Sequence, residues 1–128
     1  MNNSFAVKLS QKGEIKLPID LICKNESMDY FFTISINPCI QVFFSQLWQK
    51  YTSHVSSMPK QKQYKVRPVF ASVERVTLQD TVLVIPTRFI DRFSLIDKES
   101  VFLVENDKGF EIWDKEIYDK HLTPSETP

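Results

Sequence analysis

Apolar and polar residues alternate along Phe5-Ala6-Val7-Lys8-Leu9 and again along Glu14-Ile15-Lys16-Leu17. A period of two puts one set of side chains on a single strand face, and the intervening Ser10-Gln11-Lys12-Gly13 is turn chemistry, so the segment predicts a β-hairpin. Pro18 closes the second strand, and Ile19-Asp20-Leu21-Ile22 reads as the start of a short helix, where proline suits the first turn. Aromatic and β-branched residues crowd 30–36, which predicts a strand. Asn37-Pro38 predicts a turn, and residues 40–43 a further strand. Ser45 is expected to cap a helix from Gln46 to about Ser53, with Trp48 and Tyr51 on one face.

The centre is less regular. Ser56-Ser57-Met58-Pro59 breaks the pattern, and Pro68 interrupts any long helix over 60–71. Residues 73–78 then read as a strand, Gln79-Asp80-Thr81 as a turn and 82–86 as the returning strand. Residues 88–93 predict a short helix and 100–104 a strand. Asn106-Asp107-Lys108-Gly109 is the turn before Phe110-Glu111-Ile112-Trp113 completes another hairpin. Asp114 is expected to cap a helix to about Leu122, with Asp114 and Glu116 in its first turn and Lys120 and His121 in its last. Residues 123–128 are expected to be a disordered tail.

The same order of elements occurs twice. Pro18 matches Pro86, residues 40–43 match 110–113, and Trp48 matches Tyr118, each five residues beyond the aromatic that ends its strand. This predicts an internal duplication, with residues 1–58 and 72–122 as halves and 59–71 as a basic connector. A unit of about 50 residues buries too little surface to stand alone, so the halves are expected to share one core as a single α+β domain.

Composition narrows the chemistry. Two glycines in 128 residues provide neither a GxGxxG loop nor a P-loop. Cys23 and Cys39 with two isolated histidines make neither a disulfide scaffold nor a zinc pattern, so no metal and no cofactor is expected. Cys39 reads as a buried structural thiol, since neither His54 nor His121 is placed to activate it. Asp114, Glu116 and Asp119 beside His121 read as helix capping and dipole complementarity rather than a metal cluster. Trp48, Tyr51, Trp113 and Tyr118 read as matched core anchors rather than a base-stacking platform. No constellation for nucleophilic or acid–base catalysis stands out, which predicts a protein that is not an enzyme. No apolar run reaches the length of a membrane span, and the N-terminus has no basic region followed by an apolar stretch. A soluble, cytoplasmic protein is therefore expected.

Net charge is zero, with 16 Lys+Arg against 16 Asp+Glu, but the charges are unevenly placed. Residues 1–90 carry a balance of +5 and residues 91–128 a balance of −5. The densest basic stretch is Lys60-Gln61-Lys62-Gln63-Tyr64-Lys65-Val66-Arg67, whose four cations have no acid among them. Such a run is ordinarily a solvated face or linker.

Phe110-Glu111-Ile112-Trp113-Asp114-Lys115-Glu116 resembles the MraZ family of bacterial transcriptional regulators, which is tied to the division and cell-wall gene cluster. Cys39-Ile40-Gln41-Val42-Phe43 with Trp48, residues 9–18, Phe70-Ala71-Ser72 and residues 82–86 extend the resemblance, which covers 5–122. It implies duplicated AbrB-like hairpin halves forming a pseudo-symmetric, β-barrel-like core with short flanking helices. It also implies double-stranded DNA as partner, a homo-oligomeric ring acting on repeated promoter sites, and a cytoplasmic, nucleoid-associated setting. In the family each hairpin turn carries an Asp, three residues, then an Arg, implicated in DNA contact. Here Ser10 and Glu14 stand in those places in the first turn, while Lys12 and Gly13 survive between them. In the second turn Val82 takes the Arg place and Leu78 or Gln79 the Asp place. Arginine offers five donors in a fixed fork, which neither Glu nor Val replaces. Any DNA contact is then expected from Lys8, Lys12, Gly13 and Lys16 around the first hairpin, from Arg75, and from the run at 60–67. The alternative expectation is a diverged oligomeric scaffold or protein-interaction module that has lost DNA recognition. In either case the acidic C-terminal part and the basic remainder suggest head-to-tail docking between subunits.

Overall fold

The structure is a computed structural model, which describes residues 3–35 and 37–126. Its elements are β1 (Ser4–Lys8), β2 (Glu14–Lys16), α1 (Ile19–Lys24), β3 (Asp29–Ile34), β4 (Ile40–Phe44), α2 (Ser45–Ser56), α3 (Lys60–Gln63), a 3-10 turn (Tyr64–Val66), α4 (Arg67–Ser72), β5 (Glu74–Thr77), β6 (Val82–Val84), α5 (Thr87–Arg92), β7 (Ser100–Glu105), β8 (Gly109–Trp113) and α6 (Lys115–Glu126). The predicted element types hold almost throughout. Pro68 falls in the first turn of α4, where its missing N–H costs nothing, so the connector is a bent helical path rather than an irregular one. The helix after Asp114 continues through Glu126, over residues expected to be disordered. Ile36, Thr127 and Pro128, assigned from sequence to a strand and the tail, lie outside the described residues.

Six strands form one sheet in the order β1-β7-β8-β4-β3-β5, and β2 and β6 form a separate antiparallel ribbon. The sheet is open, with β1 and β5 as its edges, where a β-barrel-like core was expected. The first and third predicted hairpins also differ from expectation. Leu9 meets Ile15 in one isolated bridge, as Gln79 meets Val82, and beyond those bridges the arms separate. β1 leaves to pair with β7, β5 leaves to pair with β3, and β2 pairs with β6. Turn chemistry specifies where a chain reverses but not which strand lies beside it. These pairings let the apolar faces of the earlier and later strands close over one shared core. Exchanging β1 with β5, β2 with β6, β3 with β7 and β4 with β8 reproduces the observed strand order, reversed.

That core is drawn from both halves: Ile15, Leu21, Tyr30 and Phe32 from the first, Leu83, Phe89, Leu103 and Phe110 from the second, all essentially without solvent contact. β4 and β8 run down the middle of the sheet and are buried on both faces, which explains their nearly continuous apolar sequence. Their approach is close at Gly109, opposite Phe43, where a Cβ would lie 2.2 Å from the Val42 carbonyl oxygen. Pro18 and Pro86 occupy the cap positions of α1 and α5 with the same backbone geometry, φ −59° and −58°, ψ 143° in both. Each carbonyl accepts two N–H groups of its helix, from Leu21 and Ile22 and from Phe89 and Ile90.

Outside the main core the final helices pack on the sheet through matched aromatic contacts. Trp48 of α2 lies against Phe31 and Phe43, and Tyr51 against Phe43. In the second half Tyr118 of α6 lies against Phe102 and Trp113, and His121 against Trp113. Ser45 does not cap α2 as expected. It is the first residue of the helix, and the buried Asn25 takes the capping role from outside, its Oδ1 accepting both the Ser45 N–H (2.9 Å) and the Ser45 hydroxyl (3.0 Å). Asp114 does cap α6, accepting the Glu116 N–H at 3.2 Å, while its carboxylate faces Lys98 at 3.3 Å.

Candidate nucleic-acid interface

The first turn owes its shape to a hydroxyl and a glycine. Ser10 Oγ accepts the N–H groups of Lys12 (3.2 Å) and Glu14 (3.0 Å), and the Ser10 carbonyl accepts the N–H of Gly13 (3.0 Å). A short side-chain acceptor at this place can close the turn whether it is Asp or Ser. Gly13 has φ +79°, and its carbonyl accepts the Ile85 N–H at 2.8 Å, which ties the turn to the end of β6. The second turn is tighter: Gln79 and Val82 exchange both backbone hydrogen bonds, at 2.8 and 3.0 Å, with Asp80 at φ +56°.

Glu14 opens β2 opposite Val84, and Val82 opens β6 opposite Lys16. Both are half-buried. The ribbon therefore presents a carboxylate and an isopropyl group at the two places where cations were sought.

The remaining cations are not gathered in one place. Lys8 and Lys16 are exposed and line one cleft of about 430 Å³, otherwise walled mainly by Val7, Leu17, Pro18, Ile19 and Ile22. Thr81 at the second turn closes the same cleft. Lys12 and Gly13 belong to a different cleft of about 560 Å³, which they share with Lys98 and three carboxylates, Asp91, Asp97 and Glu99. Arg75 projects from β5, the sheet edge opposite β1, in register with Phe31. The structure thus joins Lys8 with Lys16, places Lys12 among acids, and sets Arg75 apart. None of these four cations has an ion pair or side-chain hydrogen bond among the described residues. Thr81 was not singled out from sequence as a neighbour of Lys8 and Lys16, because only the pairing of β2 with β6 brings it there.

Cys39 is 1% exposed, and burial, with the nearby Glu111 carboxylate adding to it, pushes its thiol up to about 12. A thiol so held is protonated at neutral pH and inert as a nucleophile. No helix among the described residues is long and apolar enough to cross a membrane.

No protein-family model matches the chain. It is 21% identical over 130 residues to a Transcriptional regulator MraZ of Treponema denticola, covering 98% of this chain and 90% of that protein. This chain is similar to the MraZ regulators along nearly its whole length. A second Transcriptional regulator MraZ, from a Polaromonas species, is 24% identical over 116 residues, covering 88% of this chain and 81% of the relative. At the positions singled out in the two turns stand Ser10, Glu14 and Val82, and both turns close through their own backbone and Ser10 hydrogen bonds.

Proposed function

We propose that the chain is a MraZ-like, DNA-binding transcriptional regulator that acts as a homo-oligomer on repeated promoter sites. The observation that carries this reading is the extent of the similarity: matches to two named regulators span 98% and 88% of the chain. The relatives' names describe regulators rather than catalysts, and the protein is read here as a non-enzyme with duplex DNA as its partner, in the cytoplasm and associated with the nucleoid. The invariance of strand order under exchange of the halves supports a duplicated origin for 1–58 and 72–122, with 59–71 joining them. Lys8 and Lys16, exposed at one cleft and without ion pairs among the described residues, supply cations for phosphate. Repetition of such modest contacts around a closed assembly multiplies their effect through local concentration.

A second reading has its own observations: Glu14 and Val82 where the family places arginines, and Asp91, Asp97 and Glu99 around Lys12. On that reading the protein keeps the fold and assembly as a scaffold without DNA recognition. Binding to duplex DNA across a salt series separates the two. A regulator that neutralises phosphates loses affinity steeply as salt rises, with a log–log slope of about −0.9 per contact. Replacing Lys8 and Lys16 by Glu should weaken that binding. Absence of duplex binding at low salt would decide for the scaffold.

A further inference from the structure

From Tyr30 to Val73 the chain carries five Lys+Arg and no Asp or Glu. These residues build β3 and β4, which lie inside the sheet, and the helical layer of α2, α3, the 3-10 turn and α4, so the charges fall on the layer. Lys50, Lys60, Lys62 and Arg67 are exposed, without ion pairs or side-chain hydrogen bonds among the described residues. Gln63, Val66 and Phe70 turn inward, while Lys60, Tyr64 and Arg67, spaced four and three residues apart, turn outward, with Tyr64 59% exposed.

The layer is held firmly. Phe70 lies 5.5 Å from Trp48 and 5.7 Å from Tyr51, ring centre to ring centre. Gln63 Nε2 donates to the carbonyls of Val55 (3.2 Å) and Met58 (3.0 Å). Ser72 Oγ donates to the Val69 carbonyl and accepts the Ile34 N–H, which pins α4 to the sheet. The acids that bound the stretch in sequence are already engaged: Asp29 accepts the Thr77 hydroxyl at 2.7 Å, and Glu74 pairs with Arg88 at 2.8 Å.

We infer that this acid-free helical layer is the surface that holds the sugar–phosphate backbone of duplex DNA. The inference rests on the DNA-binding reading above and relocates its main electrostatic contact from the ribbon turns to the opposite end of the first half's chain, α2 to α4. A fixed cationic surface with no carboxylate of its own complements a polyanion, and phosphate contacts position a protein on DNA without reading sequence. A second copy of the chain is a poorer fit. The acids of 91–128 lie on α5, β7, β8, α6 and the turns between them; Asp91, Asp97 and Glu99 share their cleft with Lys12 and Lys98, and others are engaged within the chain, Glu105 by Lys24, Glu111 by the Trp113 indole and Asp114 by Lys98.

The test uses the full chain and a duplex of mixed sequence, with affinity followed from roughly 50 to 200 mM salt. One variant combines Lys60→Glu, Lys62→Glu and Arg67→Glu, and another places Gln at the same three positions. Removing three phosphate contacts should flatten the log–log slope by about 2.7 and lower affinity up to about 500-fold near 0.1 M salt, with the Gln variant moving the same way. A wild-type chain that binds no duplex at low salt overturns both the regulator reading and this surface. Wild-type binding that survives both helical variants but disappears with Lys8→Glu and Lys16→Glu overturns this surface alone. A fall in the light-scattering mass of the DNA-free variants overturns it in favour of a second copy.

Discussion

Replacing Gly109 by Ala tests how the two halves are fastened. The new methyl would sit 2.2 Å from the Val42 carbonyl oxygen, 2.9 Å from the Phe44 nitrogen and 3.2 Å from the Phe43 Cα, all backbone atoms of β4 that have no flexible end to move. Ordinary carbon–oxygen contact begins near 3.3 Å, so β8 must retreat from β4 by roughly 1 Å. That retreat stretches the neighbouring ladder bonds, including Phe44 N–H to the Lys108 carbonyl at 3.1 Å, beyond useful length. Two such bonds lost cost about 2 kcal/mol. The strain of pushing a methyl into a packed centre adds roughly 1–3 kcal/mol, and φ of +155° is itself unfavourable for alanine. The expected total is about 4 kcal/mol, a large share of the roughly 5–15 kcal/mol that holds a domain together. In urea, with a slope of about 2 kcal/mol/M, the midpoint should fall by about 2 M. Gly13→Ala is the comparison, because its Cβ meets the Ile85 carbonyl at a milder 3.2 Å and its φ of +79° costs about 1–2 kcal/mol. A loss below about 1 kcal/mol for Gly109→Ala, or a larger loss for Gly13→Ala, would refute the close approach of β4 and β8.

Glu14→Arg exchanges a carboxylate for a guanidinium at the first turn and, on the proposed DNA-binding reading, should raise the magnitude of the salt slope for duplex DNA by about one contact; unchanged affinity and slope would place the turn away from DNA. Asn25→Ala leaves the N-terminus of α2 uncapped and the Asp29 carbonyl without the Asn25 donor at 2.8 Å. It should cost about 1–3 kcal/mol in urea unfolding, with no effect on DNA binding beyond that. Iodoacetamide at pH 8 should modify Cys23, which is exposed, and reach Cys39 only in denaturant. The Cys39 thiol is raised in the folded chain from an ordinary 9.0 to about 12. Its contribution to stability is therefore complete below pH 9 and lost as pH rises toward 12. Chemical unfolding across that window should show a decline that Cys39→Val lessens, the remainder including Tyr30 and Tyr51, whose hydroxyls burial also raises.

Local structure was legible because its signals are local. Alternation marked β1, Pro18 marked the start of α1, and Asp114 marked α6. What the sequence did not disclose is which strand lies beside which. Leu9 to Pro18 has every feature of a hairpin, yet the arms belong to different sheets, a choice made by burial across the whole chain. The same exchange hid the neighbourhood of the candidate site. Lys8, Lys12 and Lys16 are evenly spaced and suggest one basic face, but the ribbon sends Lys12 among Asp91, Asp97 and Glu99. The basic run at 60–67 was visible as a run, whereas its anchoring through Phe70 and Gln63 was not, because those contacts depend on how α3 and α4 fold back against α2.

The exchange of arms also bears on synthesis in the cell. Ser4 in β1 pairs with Val104 in β7, a separation of 100 residues. At about 5–20 residues per second, the first strand made must wait roughly 5–20 s for its partner to be translated. During that interval β1 is an unpaired strand on a nascent chain, and the same segment on a neighbouring nascent chain is equally unsatisfied. Where several ribosomes work along one message, the first strand of one molecule could close against the last strands of another, joining two copies before either has finished folding.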